Sequence, residues 1–204
     1  MRIINVIVVV AVVLAALAAF ILLVPNVPAT SSINDRINDA VAVRIHETGA
    51  DPLVQPYHDI ASASVKRLNG KELLLTLELA GDPNFNTLYE TVYIWVIDYP
   101  TVTGNQRYTV IVPHFPPELG LSTGWNIAIF DNRAERYVVP LKSIGSMTEN
   151  KIEVNIDPDL IGNPLFFWWQ SFVMVRVEPQ FDRPPDFLMD SAPDNSTVLL
   201  WPFT

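Results

Sequence analysis

The chain has 204 residues, and with 50% hydrophobic and 17% charged residues it is too apolar to be intrinsically disordered. Its 13 Lys and Arg against 22 Asp and Glu give a net charge of −9. This balance argues against a nucleic-acid partner, because phosphate backbones require clustered cations. Cysteine is absent, which excludes disulfides, thiolate nucleophiles and cysteine-ligated metals. A chain of this length favours one domain, alone or with an appendage.

The strongest local signal is an apolar N-terminal segment at residues 3–24, whose only polar residue is Asn5. At about 1.5 Å per residue, a helix of this length crosses the roughly 30 Å hydrocarbon core of a membrane. Arg2 precedes the segment and the next basic residue is Arg36, so the positive-inside rule places the rest of the chain outside the cytoplasm. We expect an uncleaved signal-anchor, because the segment exceeds the apolar region of a signal peptide. The alternative is a signal peptide cleaved near Ala29, which would leave a secreted domain.

The sequence divides into three regions on this basis. Residues 1–29 form the transmembrane signal-anchor or signal peptide, 30–50 a linker and first strand, and 51–204 the extracytoplasmic domain. Residues 30–39 are polar and are interpreted as the linker, whereas 40–46 alternate in polarity as a strand does.

Period-two alternation and β-branched or aromatic runs dominate the rest of the chain. The dipeptide Asn69-Gly70 predicts a hairpin between strands at 60–68 and 71–80. Residues 89–99 are apolar on both faces, which is typical of a central strand covered on both sides. Further strands are predicted at residues 107–112, 125–131, 137–141, 151–156, 166–178 and 197–201.

These strands predict an all-β fold, an antiparallel β-sandwich of jelly-roll or immunoglobulin-like type, preceded by the N-terminal helix. No stretch with helical periodicity follows that helix. The long proline-rich stretch 179–193 is interpreted as a loop lying across the sandwich, with Phe181, Phe187 and Leu188 as its packing anchors.

The order of features resembles the DOMON and family-9 carbohydrate-binding-module group of secreted β-sandwiches. The resemblance covers most of residues 51–194, and its pieces are Asp59-Ile60, the strand 73–81, Ile97-Asp98, the stretch 156–162 and the closing stretch 190–194. It implies a sandwich that binds sugars, haem or other protein surfaces. Haem-binding members use Met and His axial ligands, for which the chain offers Met174 and His114 as candidates, although Met174 is interpreted as a core residue.

Four tryptophans are the candidate ligand-binding residues: Trp168, Trp169, Trp95 and Trp125. Trp168 and Trp169 are adjacent in one strand, so one must face the core and the other must face outward. An outward indole could stack on a sugar ring, while the default for the others is the core.

Acidic residues near the predicted loops are the candidate metal ligands, because Ca²⁺ prefers several carboxylate and carbonyl oxygens. Asp157, Asp159 and Asp190 are the preferred set; Asp182, Asp186 and Asp194 are nearby in sequence, and Asp51 and Asp59 join if strand ends meet. The preferred interpretation of these residues is nevertheless solvated acids that stabilise turns, with the Ca²⁺ site as the alternative. A copper or zinc site from His46, His58 and His114 fits no compact motif. Asn195 begins a glycosylation sequon.

No nucleophile elbow, phosphate loop or compact metal motif is present, so we expect no enzymatic activity and no cofactor other than Ca²⁺. The preferred function is a membrane-anchored, extracytoplasmic binding or assembly module with a protein partner in the cell envelope. One alternative is a carbohydrate-binding module on the cell surface. Another is a metal- or haem-binding redox domain.

Overall fold

The structure is a computed structural model that describes residues 30–46, 51–68, 72–116, 124–144, 147–177, 185–194 and 197–201. This part of the chain holds twelve β-strands, short 3-10 turns and no α-helix. The strands are β1 Thr30–Asn34, β2 Val43–Arg44, β3 Ile60–Leu68, β4 Glu72–Leu79, β5 Glu90–Thr101, β6 Gly104–Phe115, β7 Gly124–Asp131, β8 Arg136–Ser143, β9 Lys151–Ile156, β10 Phe167–Arg176, β11 Phe187–Ala192 and β12 Leu199–Trp201.

The smaller sheet has four antiparallel strands in the order β1-β3-β4-β9. Its alternation is regular because every second residue of β4 is a leucine. Leu75 lies opposite Val65 on one side and Val154 on the other, and all three side chains are buried. The opposite face of β4 carries Glu72 and Glu78, which are exposed. One face of this sheet therefore meets the core and the other meets solvent.

The larger sheet has the order β2-β11-β10-β5-β6-β7-β8, and β12 pairs with β10 beside β11. All its pairings are antiparallel. β5 is central, with β10 and β6 as its neighbours. This position explains why both faces of β5 are apolar, as the sequence predicts.

One hydrophobic core lies between the two sheets. The smaller sheet contributes its leucine row, and the larger sheet contributes both aromatic and aliphatic side chains. The largest fully buried side chains of this core are Trp95, Trp169, Trp201, Tyr93, Phe167 and Phe187. The prediction of a mostly antiparallel sandwich is confirmed.

Two segments differ from the prediction. Residues 30–34, predicted as linker, form the edge strand β1 on β3, and Thr30 lies opposite Lys66. Residues 187–192, predicted as loop, form β11 on β10. Phe187 is nevertheless a buried anchor, as predicted, while Phe181 lies outside the described residues.

Two further predictions concern residues that lie outside the described part of the chain. The strands β3 and β4 pair antiparallel around Asn69-Gly70, which itself lies outside the described part. The predicted membrane segment at 3–24 also lies outside it. Among the residues that are described, we find no helix long and apolar enough to cross a membrane.

Candidate functional site

The outer face of the larger sheet, which points away from the core, is apolar over several strands. Alternation along each strand sends every second side chain to this face. Val92, Ile111 and Ala128 lie on neighbouring strands β5, β6 and β7, and Ile111 lies directly opposite Ala128. Val92 and Ala128 are only 2% exposed, although neither of the two sheets in the described part of the chain lies over this face. Apolar side chains in such a row are unusual on an outward sheet face, where polar side chains normally alternate.

A cleft of about 380 Å³ lies on this face, and we call it the outer cleft. Its walls are formed by Val92, Ile111, Pro113, Phe115, Ala128, Tyr137 and Leu141, and its polar residues are Glu90 and Arg176. Tyr137 is 53% exposed and Leu141 is 41% exposed, so part of the apolar lining meets solvent. The volume is within the range of ligand-sized sites.

Glu90 and Arg176 form a buried ion pair in the outer cleft. The two residues lie opposite each other where β5 begins and β10 ends, so the sheet register fixes the pair. Glu90 is 2% exposed and Arg176 is 7% exposed. Burial raises the pKa of Glu90, and the Arg176 guanidinium acts in the opposite direction.

The ion pair is only partly satisfied, which makes it a candidate recognition element. Glu90 Oε2 and Arg176 Nε are buried without a hydrogen-bond partner. An unsatisfied buried donor or acceptor costs about 1–3 kcal/mol, and more when charged. Both atoms are shielded from solvent in the free chain, so a bound group would reach them only after the two side chains turn toward the cleft. A group that then donates to Glu90 and accepts from Arg176 would remove that cost. The cleft therefore combines apolar walls with a buried, incompletely hydrogen-bonded ion pair.

The predicted tryptophans separate into two classes. Trp95, Trp169 and Trp125 are at most 4% exposed and belong to the core. Trp168 is half-buried and lines a second, smaller cleft of about 190 Å³ with Asp98, Arg107, Gln170 and Phe172 among its neighbours. Asp98 and Arg107 are ion-paired with each other. As alternation requires, one of Trp168 and Trp169 is in the core and the other faces outward.

The structure divides the predicted acidic ligands. Asp190 lies in two groups of carboxylates that could hold a metal ion, one formed with Asp35 and Asp194 and the other with Asp39 and Asp59. Asp157 and Asp159 belong to neither group. Asp157 accepts a hydrogen bond from the Asp159 N–H at 2.9 Å and caps the 3-10 turn at Pro158–Ile161.

The remaining acidic candidates also have other roles or lie elsewhere. Asp51 pairs with Arg44 on the surface, and Asp186 is buried and accepts a hydrogen bond from the Val177 N–H at 2.9 Å. Asp182 and the sequon residue Asn195 lie outside the described residues.

The histidine and methionine candidates are not brought together. His114 lies on the inner side of β6 with its ring 4.5 Å from that of Trp125, whereas Met174 is on the outer face of β10. His58 is fully buried beside Tyr57 in the 3-10 turn at Pro56–His58.

Sequence reasoning missed Glu90, Arg176, Asp35 and Asp39. Glu90 opens a strand and Arg176 closes one, positions where a charged residue normally meets solvent. The sequence contains one signal for them, because each lies at the end of a strand that is apolar on both faces. Asp35 and Asp39 lie in the segment interpreted as a linker, so the sequence alone does not indicate that they are ligands.

No protein-family model, no curated protein and no solved structure matches this chain. The resemblance to the DOMON and family-9 carbohydrate-binding-module group therefore stays a prediction.

Proposed function

We propose that the chain is a binding module rather than an enzyme, exported and held at the outer side of a membrane by residues 3–24, and that the outer cleft binds a protein partner in the cell envelope. The observation that carries this proposal is the outer cleft with its unsatisfied Glu90–Arg176 pair. Tyr137 and Leu141 expose apolar surface at the rim of the cleft, and exposed apolar side chains beside a cleft are a candidate interaction surface.

The chemistry of the cleft favours a polypeptide over a lipid. Its walls are apolar, but Glu90 Oε2 requires a donor and Arg176 Nε requires an acceptor. A peptide group, a side-chain amide or a hydroxyl supplies both, whereas an acyl chain supplies neither. The partner is therefore an apolar segment that carries one such group.

The position of the anchor agrees with this arrangement. Residues 25–29 connect the apolar segment to Thr30, which begins β1 at the edge of the smaller sheet. Five residues reach about 18 Å at most. The outer cleft is on the other sheet, on the face turned away from the smaller sheet, so we expect a membrane anchor joined at Thr30 to leave it accessible to a neighbouring protein.

The proposal is tested by the native mass of the full chain, extracted from its own membranes in mild detergent. We expect wild type to run as a particle heavier than one chain. Leu141→Glu places a charge in the apolar wall and should reduce the particle to the free chain. Leu53→Glu is the matched control, because Leu53 is 69% exposed and does not line the outer cleft. A free-chain mass for wild type, or equal loss with both variants, would contradict the proposal.

A second candidate function is carbohydrate binding at Trp168. The half-buried indole shares its cleft with Gln170 and Arg107, so an apolar ring face is next to hydrogen-bonding groups. Trp168→Ala should abolish binding of a soluble oligosaccharide while leaving the melting temperature near that of wild type. Retained binding would exclude this site as the origin of sugar recognition.

A further inference from the structure

The segment that follows β1 crosses from one sheet to the other. The Asp35 N–H donates to the Ala61 carbonyl on β3 at 2.9 Å, and the Val41 N–H donates to the Met189 carbonyl on β11 at 2.9 Å. Residues 35–41 therefore connect the edge of the smaller sheet to the edge of the larger one. We call this stretch the crossing segment.

Five carboxylates converge where the crossing segment passes β3 and β11. Asp35 and Asp39 come from the crossing segment, Asp59 precedes β3, and Asp190 and Asp194 come from β11 and the residues after it. Ligand oxygens of Asp39, Asp59 and Asp190 lie within 4.8 Å of one another, and those of Asp35, Asp190 and Asp194 do the same. Two oxygens bound to one Ca²⁺ at about 2.4 Å can be up to about 4.8 Å apart.

The sheet register aims Asp190 into this group. The pairing of β10 with β11 shifts between Val173 and Met174, so that Met189 is an extra residue in β11. Such a bulge redirects the side chains beside it. Asp190 Oδ2 accepts a hydrogen bond from the Ile60 N–H at 2.6 Å, and Oδ1 accepts one from the Ser191 N–H at 2.7 Å.

One member of the group is buried with an unsatisfied oxygen. Asp59 is 3% exposed; its Oδ2 accepts a hydrogen bond from the Asn38 N–H at 2.6 Å, and its Oδ1 has no partner. One oxygen each of Asp35 and Asp39 is also buried without a partner. None of the salt bridges found among the described residues involves these five acids.

The carboxylates of the group repel one another when they are charged. Burial raises the pKa of Asp190 to about 7, and Asp35 and Asp39 add to the rise. Burial likewise raises the pKa of Asp35 to about 6, with Asp194 and Asp39 contributing. Buried carboxylates remain charged only when a cation or hydrogen-bond donors compensate them.

We propose that Asp39, Asp59 and Asp190 bind Ca²⁺, with Asp35 and Asp194 at the outer side of the same site, and that the ion fastens the crossing segment to both sheets. The site is separate from the outer cleft, and the proposal holds whether or not that cleft binds a protein.

The donor set selects the ion. All the side-chain ligands are oxygens, which excludes the softer metals that prefer nitrogen or sulfur. Mg²⁺ demands near-ideal octahedral geometry and retains its waters, whereas Ca²⁺ accepts irregular sets of six to eight oxygens. A cleft of about 270 Å³ bordered by Asn38, Ala40, Gln55 and Asp59 gives the ion and its waters a path from solvent.

The test titrates CaCl₂ into the full chain in detergent after chelator treatment, with calorimetry and melting temperature as readouts. We expect saturable binding with a Kd of about 10⁻⁴–10⁻³ M, the range of extracellular calcium modules, and a melting temperature that rises with Ca²⁺. MgCl₂ at matched ionic strength should give a much smaller rise.

Two variants distinguish a calcium site from a cluster of carboxylates that is neutralised by protons instead. Asp59→Asn should weaken Ca²⁺ binding at least ten-fold and should raise the melting temperature of the metal-free chain, because it removes one uncompensated buried charge. Asp157→Asn is the control outside the site and should bind Ca²⁺ as wild type does. A melting temperature that depends on pH but not on Ca²⁺ overturns the proposal, as do equal Ca²⁺ affinities for wild type and Asp59→Asn.

Discussion

Two histidines, His58 and His114, are buried in the sandwich, and only a weaker attraction from Asp82 offsets the burial of His114. His58 is fully buried and accepts a hydrogen bond at Nδ1 from the Gln55 N–H at 3.2 Å. His114 is 6% exposed, packs against Trp125, and has no partner at Nδ1. Burial lowers the pKa of each ring from 6.5 to about 4. Both rings are therefore neutral in the folded chain at pH values where they are protonated in the unfolded chain.

His114 makes the folded state sensitive to acid. Between pH 6.5 and about 4 the unfolded chain binds a proton at this residue and the folded chain does not, so the stability falls as the pH falls. The cost through His114 alone is about 3 kcal/mol at pH 4 and vanishes above pH 7. Denaturant unfolding of wild type and His114→Gln from pH 4 to 8 measures it. The stability of His114→Gln relative to wild type should rise as the pH falls; a difference independent of pH would contradict the assignment.

Gly162 shows how one residue can be fixed by a close contact. It ends the 3-10 turn at Pro158–Ile161 with φ +77°, and a Cβ there would overlap the Tyr99 hydroxyl. That hydroxyl donates to the Ile161 carbonyl at 2.8 Å. Gly104 has φ +116° but nothing within 4 Å of its Cβ position.

The two glycines form a matched pair. Gly104→Ala should cost roughly 1–3 kcal/mol of unfolding free energy from the backbone conformation alone. Gly162→Ala should cost about 1–2 kcal/mol more, because Tyr99 must also move and lose its hydrogen bond. Chemical denaturation of both variants measures the difference. Equal losses would show that Tyr99 does not constrain this turn.

At the scale of the element, alternation explains which strands the sequence could predict. β4 and β9 alternate cleanly, so their bounds and core faces follow from periodicity, and β5 follows from being apolar on both faces. β11 could not be found this way. It is flanked by prolines and contains Asp190, and the bulge at Met189 breaks the period of two.

The candidate sites were less predictable than the strands. Asp59 and Asp190 are 131 positions apart in the numbering yet meet because β3 and β11 face each other across the sandwich edge. Only tertiary pairing brings them together, so sequence spacing carries no signal for it. The same holds for Glu90 and Arg176, whose contact depends on the register of β5 with β10. The outward position of Trp168 was predictable because it requires only alternation.

Two neighbouring residues, Leu74 and Leu75, test which face of β4 points to the core. Leu75 is fully buried in the core, and Leu74 is half-buried on the opposite face. Leu75→Ala should cost about 2–5 kcal/mol of unfolding free energy, the range for a buried leucine that leaves a cavity. Leu74→Ala should cost less than half as much. Equilibrium denaturation gives both values, and a larger loss at Leu74 would reverse the assignment.

At the scale of the whole molecule, the two sheets present different outer surfaces. The smaller sheet carries Glu72 and Glu78 outward and receives the chain from the predicted anchor at Thr30. The larger sheet carries the apolar outer cleft outward. The net charge of −9 favours solubility of a chain that has apolar side chains on an outward sheet face. The crossing segment connects the sheets, so the proposed Ca²⁺ would stabilise the edge that is nearest in sequence to the anchor.

Site-specific photo-cross-linking in native membranes tests whether the outer cleft contacts another protein. A photoreactive amino acid replaces Leu141 in the cleft or, as control, Leu53 outside it. We expect one discrete protein adduct from position 141 and none from position 53. Adducts of the same pattern from both positions, or no protein adduct from position 141, would contradict it.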